Sequence, residues 1–373
     1  MSLLLNAEQQ MLREAAAAFL AERSPVSAQR RWRGSEAGER FDAGLWREVV
    51  DLGWTAAPWP EQLGGLEAGW KGLGAVFEQM GRHLCALPLL SSVVLGGSLL
   101  VGGGSVALRE QWLPRVMDGT ARLALGLDER ARHAPGEIGT QVRRDGQGWR
   151  LDGSKRDVLD GCGAEGYVVA ARCEGQLHLF LVPSGVPGLT VTPLHRIDSR
   201  NAAAISLEAV CVDDTALLGS GSDAQAALDQ ALDRARLCLA AETLGLTRQA
   251  FEMTLRYLKE RVQFDVPIGS FQALQHRAAR LLVGLELLDS CVAAGLDALD
   301  HRPDEVPLLA SLAKARAAEL GELLLNEAVQ MHGGIGVTDE FDLGLFLKRA
   351  RSINQSLGDA LFHRDRYARL KGF

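Results

Sequence analysis

Arg261-Val262-Gln263-Phe264-Asp265-Val266-Pro267-Ile268-Gly269-Ser270-Phe271-Gln272, followed by Gln275-His276, and Gln330-Met331-His332-Gly333-Gly334-Ile335-Gly336-Val337-Thr338, followed by Lys348-Arg349-Ala350, are the two stretches on which the reading of this chain turns. Both interrupt otherwise helical sequence. The segment from Ala224 to Tyr257 holds no proline and reads as one or two long helices. Gln272–Leu299 and Val306–His332 read as two more. Gly334-Ile335-Gly336 is a glycine-rich turn, but it follows a helix rather than a strand, so it is no dinucleotide fingerprint of the strand–turn–helix type.

Outward from these stretches, the chain changes character twice. Gly219-Ser220-Gly221-Ser222 is a linker-like break, and the segment before it, from Thr120 to Leu218, is rich in short strand signals. Asp145-Gly146 between Gln141–Arg143 and Trp149–Leu151 is a hairpin signal. Tyr167–Ala171 and Leu177–Val182 are apolar strands across a Glu-Gly turn, and Leu189–Thr192 and Ile205–Val212 continue the pattern, which suggests a small barrel or sandwich. Before Gly119 the chain reads as helical. Asn6 with Gln9 fits a capping box ahead of Leu12, Ala16, Phe19 and Leu20. Leu45, Val49, Val50 and Leu52 suggest a second helix closed near Gly53, and Leu73, Val76, Phe77 and Met80 the buried side of another. Pro58, Pro60, Gly64 and Gly65 mark a loop. The expected domains are 1–118 (helical), 119–219 (β) and 220–373 (helical), an α+β multidomain chain.

Composition narrows the function. The 373 residues carry a formal net charge of −7, which disfavours a nucleic-acid surface; Arg30, Arg31 and Arg33 form only a short basic run, read as a solvated face. The six cysteines are scattered without a C-x-x-C pair and read as buried thiols of a reducing, cytoplasmic compartment. The N-terminus, with Glu8, Glu14 and Glu22, has no signal-peptide pattern. Leu84–Leu108 holds no charged residue, but Pro88 and the Gly102-Gly103-Gly104 run argue for a buried helix plus turn rather than a membrane span. No metal-ligand spacing, no G-x-S-x-G elbow and no P-loop is present.

The two opening stretches resemble the flavin-binding signatures of the acyl-CoA dehydrogenase family: the first its R-x-x-F-G-x-P-I-x-x-F-Q run, with Asp265 in place of glycine, and the second its Q-x-x-G-G-x-G turn. Leu52-Gly53-Trp54 with Pro60-Glu61 and Gly64-Gly65 resembles the family's N-terminal passage, and Glu78-Gln79-Met80-Gly81-Arg82 its following helix. The resemblance covers nearly the whole chain. It implies an N-terminal helical domain, a middle β-barrel and a C-terminal four-helix bundle, with FAD as cofactor. It further implies α,β-dehydrogenation of an acyl-CoA, an electron-transfer flavoprotein or similar acceptor, and a homo- or hetero-oligomer. Cofactor-binding roles fall on Arg261, Gln263, Phe264, Phe271, Gln272, Gln330, Gly333 and Gly334. Guanidinium binds pyrophosphate oxygens bidentately, the glutamines donate and accept, and the glycines let backbone approach closely. In the family these residues reach a flavin bound mainly by the neighbouring subunit.

The catalytic half departs from the family pattern. Where the family has the Glu of a Glu-Gly-Thr run, this chain has Leu357-Gly358-Asp359. The alternative base position, just before the arginine that Arg236 resembles, holds Ala235. Glu242, seven residues beyond Ala235 on the same helical face, and Asp359 are the two carboxylates that could stand in as base, with Arg236 as a substrate-side residue. The family's Thr-Glu-Pro … Gly-Ser-Asp loop gives way to Asp128-Glu129-Arg130. Its K-x-W-I-T-N-G run reads Lys155-Arg156-Asp157-Val158-Leu159-Asp160-Gly161, replacing the tryptophan and threonine that meet the flavin ring. Three readings follow: a dehydrogenase with a displaced base, for a bulky or branched acyl group such as a sterol side chain; a catalytically incompetent subunit that completes the flavin site of an active partner chain; or a diverged binding or repair protein on the same scaffold.

Overall fold

The computed structural model describes residues 4–32, 41–103 and 105–373, so Arg33 of the basic run and Gly104 of the glycine run lie outside the described residues. The order is helical, then β, then helical. Helix α1 (Ala7–Arg23) starts with Asn6 and Gln9 capping one another reciprocally. Helix α2 (Ala43–Asp51) is capped by Asp42 and ends just before Gly53. Helix α3 (Gly69–His83) buries Leu73, Val76, Phe77 and Met80. The uncharged stretch forms a buried π-helical run, Leu89–Gly97, that continues into α4 (Ser98–Gly103), and α5 (Val106–Met117) follows. Among the described residues no helix is long and apolar enough to cross a membrane.

Eight strands make one mixed sheet: β1 (Leu123–Gly126), β2 (Gln141–Asp145), β3 (Gly148–Leu159), β4 (Gly166–Cys173), β5 (Gln176–Pro183), β6 (Leu189–Pro193), β7 (Ala202–Asp213) and β8 (Leu217–Ser220). The order is β6-β7-β3-β2-β4-β5-β8, with β1 parallel to β4. The β2–β3 hairpin turns at Gly146, and β4–β5 turns at Glu174-Gly175, both of positive φ. Trp149, Leu151, Tyr167, Phe180, Val182, Ile205 and Leu207 pack as its core. Cys85, Cys162 and Cys238 are buried as expected, but Cys173 and Cys291 are only half-buried and Cys211 is exposed: strand alternation puts its neighbour Val210 in the core and Cys211 outside.

The linker expected at 219–222 is absent. Strand β8 runs to Ser220 and helix α6 (Gly221–Glu260) begins at the next residue. Gly221, at φ 61°, makes the change of direction in one step. The remainder is a short hairpin, β9 (Val262–Gln263) with β10 (Val266–Pro267), and helices α7 (Gln272–His301), α8 (Val306–His332), α9 (Leu343–Gln355) and α10 (Ala360–Leu370).

The chain divides into two compact units, one of residues 1–31, 68–85 and 236–373, the other of residues 32–67 and 86–235. In the first, α8 packs against α7, α9 and α10. Helices α3 and α6 meet backbone to backbone: a Cβ on Gly81 would lie 2.0 Å from the Glu242 carbonyl oxygen, and one on Gly245 1.8 Å from that of Glu78. Only glycine at both positions allows so close a crossing.

Candidate functional site

The two signature stretches come together in the first unit. Tyr257, Arg261, Gln263, Phe264, Phe271, Gln330, Gly333 and Gly334 all line one open cleft of about 640 Å³. Gln272 is the first residue of α7 and lies outside that lining. The β9–β10 turn explains the Asp265 departure: Phe264 and Asp265 sit at φ 56° and 63°, the left-handed pair that a two-residue hairpin requires. Asp tolerates that conformation better than most side chains other than glycine. Phe264 is 85% exposed and meets Phe271 edge-on at 6.1 Å, an apolar surface on the rim of the cleft.

The guanidinium of Arg261 has no hydrogen bond or ion pair among the described residues, unlike neighbouring Arg277, which is clamped by Glu327 at 2.6 and 3.1 Å. Gly333 and Gly334 have open space where a side chain would project. A free guanidinium, two amides and bare glycine backbone suit the phosphate-bearing part of FAD. The wall behind is an aromatic stack: His332 lies 4.6 Å from Tyr257 and 4.9 Å from Phe341 between ring centres. Burial holds the His332 imidazole below its usual pKa, against the opposing hydrogen bond of Nδ1 to the Ala328 carbonyl.

The turn at Leu357 is the second feature. Leu357 is buried and left-handed at φ 56°. Its carbonyl oxygen accepts from Arg236 Nε at 3.2 Å and lies 3.0 Å from His363 Nε2. Lys314 Nζ donates to the Ile353 and Gly358 carbonyls, both at 3.0 Å. Arg236, Lys314 and His363 are all fully buried. Burial, with the nearby Arg236 charge, lowers the Lys314 pKa to about 7, and burial with the Arg236 and Lys314 charges lowers that of His363 to about 2. Asp359 caps α10, accepting from the Phe362 N–H at 2.8 Å. Glu242 is buried and held by Arg349 through Nε–Oε1 and Nη2–Oε2 contacts of 2.7 and 2.9 Å.

In the β unit, Asp157 stands at an irregularity of the β3–β7 ladder with φ 49° and pairs with Arg196 at 2.8 Å. Burial raises its pKa, and the charges of Asp198 and Asp128 add to that, against the attraction of Arg196. Glu129 takes Lys155 at 2.6 Å and the Gly139 and Thr140 N–H groups, tying the loop after β1 back onto the sheet. Burial works to raise the Glu129 pKa, but the hydrogen bonds from Lys155 and Thr140 outweigh it and lower it. The 157–159 stretch therefore carries a carboxylate and an aliphatic side chain, with neither indole nor hydroxyl.

Of the cations around the 357 turn, the sequence points to Arg236 but not to Lys314 or His363. The one available signal was Lys314, a lone charge inside the apolar run Ala310–Ala315. Sequence reasoning also missed Arg349 as the partner of Glu242, although Arg349 belongs to the second opening stretch.

Comparison with known proteins agrees with this architecture. Residues 6–120 match the family model for the acyl-CoA dehydrogenase N-terminal domain, and residues 225–370 that for its C-terminal domain. Among curated proteins, the acyl-CoA dehydrogenase FadE27 of Mycobacterium tuberculosis is 32% identical over 329 residues, 86% of each chain. Among solved structures, a chain of the ChsE4–ChsE5 complex from Mycobacterium tuberculosis superposes with a TM-score of 0.91 at 29% identity, covering 100% of this chain and 99% of the other. A chain of a variant of the Tcur3481–Tcur3483 steroid ACAD gives 0.88 at 31% identity, covering 99% of each.

Proposed function

Because the chain belongs to the acyl-CoA dehydrogenase family, whose cofactor is FAD, we propose that it works as the non-catalytic subunit of a heteromeric acyl-CoA dehydrogenase, completing the flavin site of a homologous chain that carries the base. The observation that carries this reading is the state of the carboxylates. Position 357 is leucine, Glu242 is neutralised by Arg349, and Asp359 serves as a helix cap. None of the three positions is left to take the α-proton from a substrate.

The family reaction needs two things. The first is a hydride acceptor for the β-hydrogen of the acyl chain, which FAD would supply when bound. A carboxylate on the opposite face of the substrate must take the α-proton. Of these, this chain's residues would serve the first: Arg261 would hold phosphate oxygens by paired N–H donors, Gln263 and Gln330 would offer amide hydrogen bonds, and the bare backbone at Gly333-Gly334 would let the cofactor approach closely. Phe264 and Phe271 offer an apolar surface at the rim. At the second, the Leu357 side chain can accept no proton. Arg236, Lys314 and His363 nonetheless keep the turn in a fixed shape.

The ChsE4–ChsE5 and Tcur3481–Tcur3483 structures are each named as a pair of chains, and the second as a steroid ACAD. This similarity supports a heteromeric assembly here, with a bulky acyl-CoA such as a sterol side chain as substrate. An electron-transfer flavoprotein or similar acceptor and a cytoplasmic setting complete the proposal. The test is the flavin content and dye-linked turnover of saturated acyl-CoAs of several lengths, by the chain alone and with a homologous subunit. Little turnover alone and robust turnover in the complex is expected. Robust turnover by the chain alone, abolished by Glu242→Gln, would defeat the proposal and restore the displaced-base reading.

A further inference from the structure

The short basic run near residue 30 has no part in the function so far described, yet its first arginine is deeply engaged. The Arg30 guanidinium donates to the carbonyl oxygens of Asp339 and Glu340, the latter at 3.2 Å, and pairs with the Asp342 carboxylate at 2.6 Å. A single planar fork thus grips three of four consecutive residues in the segment that leaves the Gly333–Val337 turn and enters α9. The fourth, Phe341, packs against His332. His332 in turn stacks on Tyr257, whose carbonyl accepts from the Arg261 N–H at 2.8 Å. Every link from Arg30 to Arg261 is therefore a direct contact or a step along the chain.

We infer that Arg30 is a positioning residue for the cofactor cleft: it latches the 339–342 segment and, through Phe341 and His332, sets the glycine turn and the cleft wall behind Arg261. The inference rests on the reading of the cleft as a flavin-dinucleotide site.

Three features make the latch specific. Two of its acceptors are backbone carbonyls, which cannot be supplied by chance surface charges. Guanidinium satisfies all three acceptors at once, while an ammonium has a single centre and cannot span them with the same geometry. The Arg30 and Asp342 side chains are 29% and 35% exposed, so salt weakens but does not abolish the pair. The aromatic stack passes the constraint on, because packed rings do not slide without leaving a void.

The experiment compares Arg30→Ala, Arg30→Lys, Asp342→Asn and the Arg30→Ala/Asp342→Asn double variant with wild type. Two quantities are read: amide hydrogen exchange over 333–342, and FAD affinity by fluorescence. Affinity is measured on the chain alone or, where that takes up no flavin, on its complex with the homologous subunit. Arg30→Ala should speed exchange about tenfold and weaken FAD about three- to tenfold. Arg30→Lys should recover part of both. The double variant should be no worse than Arg30→Ala, since both changes break one connection. Unchanged exchange in Arg30→Ala overturns the latch; faster exchange with unchanged FAD affinity overturns its positioning role. Arg261→Ala separates the layers: if it leaves affinity unaltered, the cleft reading fails and takes the inference with it, whereas an Arg261 effect without an Arg30 effect rejects the inference alone.

Discussion

Arg349 grips Glu242 with two hydrogen bonds, 2.7 and 2.9 Å long, between side chains that are only 12% and 3% exposed. A carboxylate so held is fixed in place by its partner. The pair sits where α6 carries the glycine-lined crossing with α3, since the Glu242 carbonyl faces Gly81 directly. Removing the carboxylate takes this ion-pair partner from a buried guanidinium, and breaking a buried pair costs about 3–5 kcal/mol. Glu242→Ala is therefore expected to lower the urea midpoint markedly, and Arg349→Ala to do the same. A Glu242→Ala protein of wild-type stability that had lost turnover would instead identify a catalytic carboxylate.

Arg261→Ala should weaken FAD binding by about ten- to hundredfold, the worth of one charge-assisted phosphate contact. Because the Arg261 side chain has no protein partner among the described residues, the substitution breaks no internal bond, and stability should stay within about 0.5 kcal/mol of wild type. A flavin titration with a parallel denaturation curve checks both halves. A loss of stability without loss of affinity contradicts the assignment.

Leu357→Glu restores a carboxylate at the family's usual base position. The backbone there is left-handed and already held by Arg236, so the new side chain inherits a fixed turn. A positioned general base is worth roughly 10²–10⁴-fold in rate. Its benefit, however, requires a flavin on the same chain, and Asp157 and Leu159 replace the tryptophan and threonine of the run that this segment resembles. The expected result is no gain in dye-linked turnover by Leu357→Glu alone. A large gain would mean that this chain binds its own flavin productively.

Much of this was legible in the sequence. Helical periods and glycine breaks located α1, α2, α3, α7 and α8, and the Asp-Gly and Glu-Gly turns located two hairpins, because local chemistry dictates those features. The cleft residues were legible through the motif resemblance. The 219–222 stretch misled, because glycine and serine suit a tight strand-to-helix turn as well as a linker. The cationic shell of the 357 turn was hidden for another reason. Lys314 and His363 come from α8 and α10 and meet only in the folded unit, and a buried lysine on an apolar face carries no local signature. The Arg30 latch joins residues 312 apart in the chain, a separation at which a short basic run gives no local sign of its partners.

Lys314 is buried with its Nζ on two carbonyl oxygens, and a neutral amine has two N–H groups to give. The charges facing it are Arg236, which disfavours protonation, and Asp359, which favours it; burial dominates and brings the pKa from 10.5 to about 7. The folded pKa is thus below the unfolded one. In the window between them the unfolded chain binds the proton and the folded chain does not. Stability from this group is therefore fully present above pH 10.5, falls as pH drops, and is exhausted near pH 7. Within the window the slope is at most about 1.4 kcal/mol per pH unit. Lys314→Met loses both hydrogen bonds but removes the titration, so urea stability measured from about pH 7 to 9.5 should rise less steeply with pH in the variant. His363 repeats the pattern lower down: its contribution is present above pH 6.5 and drains away as pH falls toward about 2. His363→Gln should flatten the acid limb between about pH 4 and 6.5 while leaving the alkaline slope to Lys314. Parallel pH profiles for wild type and Lys314→Met would show that the amine keeps its proton in the folded protein and that the turn is held by an ammonium.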